Sequence, residues 1–428
     1  MAENTDLSLQ KQVIYSIYVR NHTEEGTFRA LIPDLDRIKA LGTDIIWLMP
    51  IHPIGVEGKK GSLGCPYANR DYRDVNPAYG TMDDFKFLVS EIHKRGMKCI
   101  IDVVYNHTSP DSVLRNSHPE FFYRRQDGSF GNHLGEWSDV IDLDYNVKAL
   151  WDYQIESLCM WAETVDGFRC DVASFVPLEF WKEARSAVEK VHPGAIWLAE
   201  TVHTVTNNYA KSIGINAMSD ADAFSAFDME YEYDIWASFE AYLDGKTALS
   251  GYLDMLNLQE AVYPSNYNKM HCLENHDQKR IRLRLRSEEE LINYTSMLYF
   301  LKGTTLIYAG QEFENTHTPS LFEKEPIDRK TGKDISPLLK RLSSIKQLFG
   351  QSDWFLARAD AENDIAVLRR GSGNCEFLGI FSLKAGKASV PVPELHDGNY
   401  EELISGKSVR IIAGNFDCSG EPAIIKVR

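Results

Sequence analysis

The chain has no uninterrupted apolar run approaching the roughly 18 residues that a bilayer-spanning helix requires. Its opening, MAENTDLSLQKQ, is polar and acidic and lacks the apolar core of a secretory leader, so a cytoplasmic location is the expectation. Cysteine is sparse: there are seven, an odd number, without metal-type spacing. That argues against a disulfide framework and against a zinc site. Positive charge is also short. Lys and Arg total 46 against 62 Asp and Glu, a net charge of −16, which argues against nucleic acid or an anionic membrane surface as partner. No Gly-rich phosphate loop follows the first apolar run, and neither a solenoid repeat nor a low-complexity tract is present.

What the chain does contain is alternation. Short apolar, β-branched runs occur at 13–19, 43–49, 97–104, 165–172, 195–200, 223–229, 270–275 and 303–310. Most are continuously apolar, as in parallel strands buried on both faces. Amphipathic helical stretches separate them. TMDDFKFLVSEIHKRG (81–96) opens on Thr81 as N-cap, carries Asp83 and Asp84 in its first turn, and closes on Lys94, Arg95 and Gly96. Eight such strands with intervening helices predict an α/β fold, a (β/α)₈ TIM barrel over residues 1–350. A doubly wound sheet is the alternative. The segment 106–146, rich in His, Asn, Asp and Gly, reads as an inserted loop subdomain after the third strand. From 351 to 428, short strands broken by Gly, Asn and Lys predict a small C-terminal antiparallel, sandwich-like β-domain.

A TIM barrel builds its chemistry at the C-terminal ends of its strands. The third run carries Asp102, followed by Asn106 and His107; the fourth carries Arg169 and Asp171. The fifth ends in Glu200, and the seventh runs into Glu274, Asn275, His276 and Asp277. One carboxylate at a strand end is as readily an ion-pair partner as a reactive group. Carboxylates converging from four strands repel one another, and folding alone gives no reason to gather them. Such a cluster serves either a divalent metal site or glycoside hydrolysis. Trp47, Trp151 and Trp197 lie in apolar segments and read as core; His93 and His192 read as surface residues, and Glu288–Glu290 as a solvated helix start.

The motifs taken in order resemble the α-amylase family of glycoside hydrolases. DVVYNH (102–107), GFRCDVASF (167–175), WLAE (197–200) and ENHD (274–277) resemble its four signatures. GTDIIWLMPIHP (42–53), CPYANRDYRDVNPAYGT (65–81) and IDLDYN (141–146) resemble further family segments, and the likeness covers about 12–350. It implies Asp171 as nucleophile, Glu200 as general acid/base and Asp277 as the third carboxylate. Arg169 is implied to hold the nucleophile, with His107, His276, Asp102 and Tyr67 lining the glucose subsite. Asn106 matches a calcium ligand of the family, so a structural calcium is implied only by that one position, and no cofactor is implied for the chemistry.

The implied activity is retaining hydrolysis of α-linked, mainly α-1,4, glucose oligomers. Alternatives are a glucanotransferase, a sucrose-type or oligo-1,6-type enzyme of the same family, a non-catalytic glucan-binding relative, or a metal-dependent hydrolase. Ser174 and Phe175 stand where many starch-hydrolysing relatives carry a Lys-His pair, and Val172 resembles the α-1,6-acting branch. Linkage preference is therefore open at this stage.

Overall fold

The computed structural model describes residues 5–135, 137–360 and 362–428. Eight parallel strands close into a barrel: β1 (Val13–Ile17), β2 (Ile45–Leu48), β3 (Lys98–Val103), β4 (Gly167–Cys170), β5 (Ile196–Ala199), β6 (Met229–Tyr231), β7 (Lys269–His271) and β8 (Gly303–Tyr308). Each pairs with its sequence neighbours, and β8 closes on β1. The strands are buried along nearly their whole length, which explains their continuous apolarity. The helix Met82–Lys94 begins at the Thr81–Asp84 capping box and buries Phe85, Leu88, Val89 and Ile92 on one face. Gly167 opens β4 at φ +156°, where a Cβ would lie 2.1 Å from the Ile196 carbonyl oxygen. Only glycine allows β5 to approach so closely.

The sixth strand corrects the sequence expectation. Residues 223–229 were expected to be strand, but Ser219 and Asp222 form a capping box over the short helix Asp220–Ala223. Ala223, Phe224, Ala226 and Phe227 are buried because Phe227 packs against Trp181 and Trp197. The strand itself is Met229–Tyr231. Its central residue, Glu230, is paired in register with Lys269 of β7, and their side chains form an ion pair at 3.2 Å. A buried ion pair across two short strands breaks the apolar signature of both.

Between β3 and the helix Lys148–Ala162 lies the long loop. It contains a two-residue pairing of His107–Thr108 with Ile141–Asp142 and a short helix at Val113–Ser117. Past the last barrel helix, Ser336–Leu348, the chain forms two four-stranded antiparallel sheets. One comprises β9 (Trp354–Asp360), β10 (Ile365–Ser372), β11 (Cys375–Ser382) and β16 (Ala423–Lys426). The other comprises β12 (Ala388–Pro391), β13 (Gly398–Glu401), β14 (Ser408–Ile412) and β15 (Asn415–Cys418). Alternation sorts the first sheet. Ile365 and Val367 face the second sheet, whereas Ala366 and Leu368 join the barrel's core. Polar groups pin the junction. Asn257 exchanges two 2.8 Å hydrogen bonds with the Ala357 backbone, and buried Arg370 donates to the carbonyls of Phe300 and Leu301 at 2.8 Å.

Candidate active site

The register aligns Asp102 of β3 beside Arg169 of β4. Asp171, two residues on, projects to the same side. Arg169 is fully buried, and its Nη1 donates to Asp102 Oδ1 and to Asp171 Oδ1, both at 2.8 Å. Its Nη2 faces Glu200 Oε1 at 2.9 Å as an ion pair without hydrogen-bond alignment. Nε donates to Tyr231 Oη at 3.3 Å. The rings of Trp47, Tyr67 and Tyr231 surround the guanidinium at 5.2, 5.6 and 5.3 Å, so Arg169 can move little.

Val172 follows at φ 35°, ψ 45°. A β-branched residue in the left-handed region is strained, by about 1–3 kcal/mol. The conformation turns the Val172 N–H onto Glu200 Oε2 at 2.8 Å, while the Ala173 N–H donates to the Glu200 carbonyl at 3.0 Å. Glu200 is thus held from both main chain and side chain. Burial pushes its carboxyl well above the usual range; Arg169 pulls it down, and the anions Asp171 and Asp277 push it further up. Burial likewise raises Asp102 to about 7 against the pull of Arg169.

The remaining expected residues meet at the same place. Tyr67 Oη donates to Asp102 Oδ2 at 3.1 Å and lies 2.7 Å from His276 Nε2, with the two rings stacked. His276 Nε2 is also 3.1 Å from Asp277 Oδ2, and burial lowers the imidazole's pKa. Asp277 is 42% exposed, in contrast to the buried Asp171 and Glu200. His107 Nε2 stands 3.9 Å from Asp171 Oδ2, too far for a hydrogen bond. These groups, apart from the deeper Asp102 and Arg169, border a cavity of about 350 Å³. Sequence reasoning missed other members of its wall: Lys60, Trp137, Asp139, His203, Tyr233 and Phe322. They sit on loops after five different strands, and no spacing pattern marks them.

A model of the α-amylase catalytic domain matches residues 14–127 and 129–347, and one of the bacterial α-amylase C-terminal domain matches 357–425. The chain belongs to the α-amylase family. An α-amylase structure from Lactobacillus plantarum is 42% identical, with a TM-score of 0.95 over 98% of this chain and 100% of that one. The α-amylase MalA of Haloarcula japonica is 25% identical over 96% of this chain. An α-1,4-glucan:maltose-1-phosphate maltosyltransferase of Streptomyces coelicolor is 28% identical over 82%. The chain spans 60% and 55% of the lengths of these last two proteins.

Within this α-amylase-family frame, three positions depart from expectation. Glu274, grouped with the converging carboxylates from sequence, points away from the cavity. It accepts from Arg280 Nη1 at 2.6 Å and from the Ile281 N–H at 2.7 Å. Ser174 is fully buried and accepts the Val202 N–H through Oγ at 3.3 Å, so it braces the loop after β5. Phe175 lines a separate cavity together with Asn106 and Asp142. There the Asn106 amide donates to His107 Nδ1 at 3.1 Å, and Asp142 Oδ2 takes both the N–H and Nδ1 of His133 at 2.7 Å. Calcium requires six to eight oxygens. The contact of Asn106 uses its amide nitrogen and not its oxygen, and Asp142 Oδ1 is buried without a hydrogen-bond partner. These two oxygens by themselves fall short of that number, and among the described residues no cluster of three or more His, Cys, Asp or Glu is placed to hold a metal.

Proposed function

We propose that the protein is a retaining glycosidase that hydrolyses α-1,4 bonds in short glucose oligomers. The observation that carries the reading is one immobile guanidinium, Arg169, holding Asp171 and Glu200 side by side at the wall of a cavity. Asp171 is the nucleophile. Arg169 engages its Oδ1 and compensates its charge, leaving Oδ2 on the His107 side to attack the anomeric carbon. As the C–O(ester) bond forms, the glycosidic C–O bond breaks and Glu200 gives its proton to the departing oxygen. Its raised pKa keeps that proton available near neutrality. In the second half, Glu200 takes a proton from water, the water oxygen bonds the anomeric carbon, and the Asp171 ester is released. Two inversions return the original configuration. Exposed Asp277 and buried His276 face the sugar hydroxyls, Tyr67 packs beneath them, and Asp102 secures Arg169 and Tyr67.

Glucanosyl transfer uses the same first half-reaction, with a sugar hydroxyl in place of water, and a maltosyltransferase stands among the relatives. Incubation with maltooligosaccharides, isomaltose and sucrose, each with and without phosphate, followed by product chromatography, separates the outcomes. Shorter maltooligosaccharides without longer ones are expected. First-formed products of inverted configuration would overturn the mechanism; longer products, or glucose 1-phosphate, would move the protein to the transferring enzymes.

A further inference from the structure

An ion pair bridges two loops across one side of the cavity's rim. Lys60 Nζ, on the loop after β2, contacts Asp139 Oδ1, on the loop after β3, at 2.8 Å. Asp139 is buried although its partner is 38% exposed, so the pair spans the rim from outside to inside. Both residues line the cavity, with Phe322 from the loop after β8 beside them. The loops after β2 and β8 are tied together. The Leu63 N–H donates to the Phe322 carbonyl at 3.1 Å, and the Ser62 N–H to Glu323 Oε1 at 2.7 Å. Buried Arg20 gathers the carbonyls of Leu63, Gly64 and Leu321 at 3.1–3.2 Å. A Cβ on Gly61 would lie 2.5 Å from Phe322 Cβ, which shows how tightly the two loops abut.

Barrel order gives this bridge a direction. Strands β8, β1, β2 and β3 occupy one contiguous arc, and β5, β6 and β7 occupy the opposite one. Lys60, Asp139 and Phe322 stand on the first arc; His203, Tyr233 and Gln278 line the cavity from the second. If Glu200 protonates the leaving oxygen, the departing, reducing-end part of the substrate lies toward β5. The retained glycone then lies toward Asp102, Tyr67 and the bridged arc.

We infer that the Lys60–Asp139 pair makes this an end-acting enzyme, which takes glucan chains by their non-reducing end and removes a short unit. The inference rests on the proposed hydrolysis, and adds that the chain cannot continue past the pair. Steric exclusion at a rigid wall discriminates more sharply than a missing favourable contact.

The test compares maltoheptaose with maltoheptaose carrying a 4,6-O-benzylidene block on its non-reducing glucose. The wild-type protein is expected to cleave the blocked sugar slower by about 100-fold or more. The double variant Lys60→Ala/Asp139→Ala is expected to recover much of that difference, its turnover of unblocked maltoheptaose reporting that it has folded. Equal cleavage of both sugars by the wild type would overturn end action. Discrimination that survives unchanged in a variant active on the unblocked sugar would overturn the role of the pair. A variant inactive on both sugars is replaced by the milder Lys60→Met, read by the same ratio. Absence of cleavage of either sugar by the wild type would instead count against the proposed hydrolysis itself.

Discussion

Arg169 and Lys269 are each fully buried beside three carboxylates, yet one group borders the candidate active-site cavity and the other does not. Arg169 is surrounded by Asp102, Asp171 and Glu200. Lys269 is surrounded by Asp220, Glu230 and Asp234, with Nζ within 3.4 Å of all three. Around Lys269 the rings of Phe224 and Tyr263 close the space, and Gln259 and Tyr263 hold Asp234 Oδ2 at 2.9 Å. Both clusters carry more negative than positive charge, and in both burial raises carboxyl pKa values. Charge excess alone therefore does not mark a reactive site. The difference is access: Asp171 and Glu200 line a space that a sugar can enter. The Lys269 group joins β6, β7 and the helix Leu249–Val262 behind the barrel wall.

Substitution can break this contrast from either side. The largest effect is expected at Asp171. Asp171→Asn should lower kcat by about 10⁵-fold, measured on maltoheptaose, because in the proposed mechanism it removes the nucleophile. Its thermal midpoint should move little, since Arg169 keeps Asp102 and Glu200 as partners. Glu200→Gln should cost about 10³-fold and also remove the alkaline limb of the kcat profile. The sign follows from the raised pKa: the acid form is needed, so activity falls as pH rises through the Glu200 pKa.

The Lys269 cluster should respond the opposite way. Lys269→Met leaves three carboxylates uncompensated and should cost about 3–5 kcal/mol in urea unfolding. The molecules that remain folded should retain kcat near the wild-type value. A large kcat loss without a stability loss would erase the distinction drawn here.

Smaller still is a pH effect on stability. Asp102 has a folded pKa of about 7 against an ordinary 3.8, so the folded chain holds that proton more tightly. Its contribution is full below about pH 4 and is lost as pH rises toward about 7. Asp102→Asn should therefore flatten the decline in urea midpoint across that interval. EDTA is expected to leave activity unchanged, because Asp171 and Glu200 are held by Arg169 and the Val172 N–H and not through Asn106 or Asp142.

The sequence made the barrel readable where strands are buried on both faces and consist of apolar residues alone, as in β2 and β5. It failed at β6, where Glu230 interrupts the run and a helical turn upstream supplies a false apolar one. That error also hid Tyr231, whose hydroxyl meets Arg169 Nε. Trp47 and Trp197 are core as read; Trp47 in addition packs against Arg169 and His276. Glu290, read as solvated, is buried and accepts the Arg286 N–H at 2.7 Å. His93 is exposed as expected, and His192, only half-buried, donates through Nδ1 to the Ala162 carbonyl at 3.0 Å.

By itself, then, the sequence determined most of the barrel strands and the shared face of Arg169 and Asp171. Alternation within a strand is local, so Arg169 and Asp171 must share a face wherever the strand lies. What the tertiary structure alone decided is which carboxylates meet a cavity and how that cavity is bounded. Glu274 turns toward Arg280, Ser174 braces a loop, and Lys60 finds Asp139 nearly eighty positions away. These outcomes depend on loop packing around the rim, where contacts join residues distant in sequence and no periodicity records them.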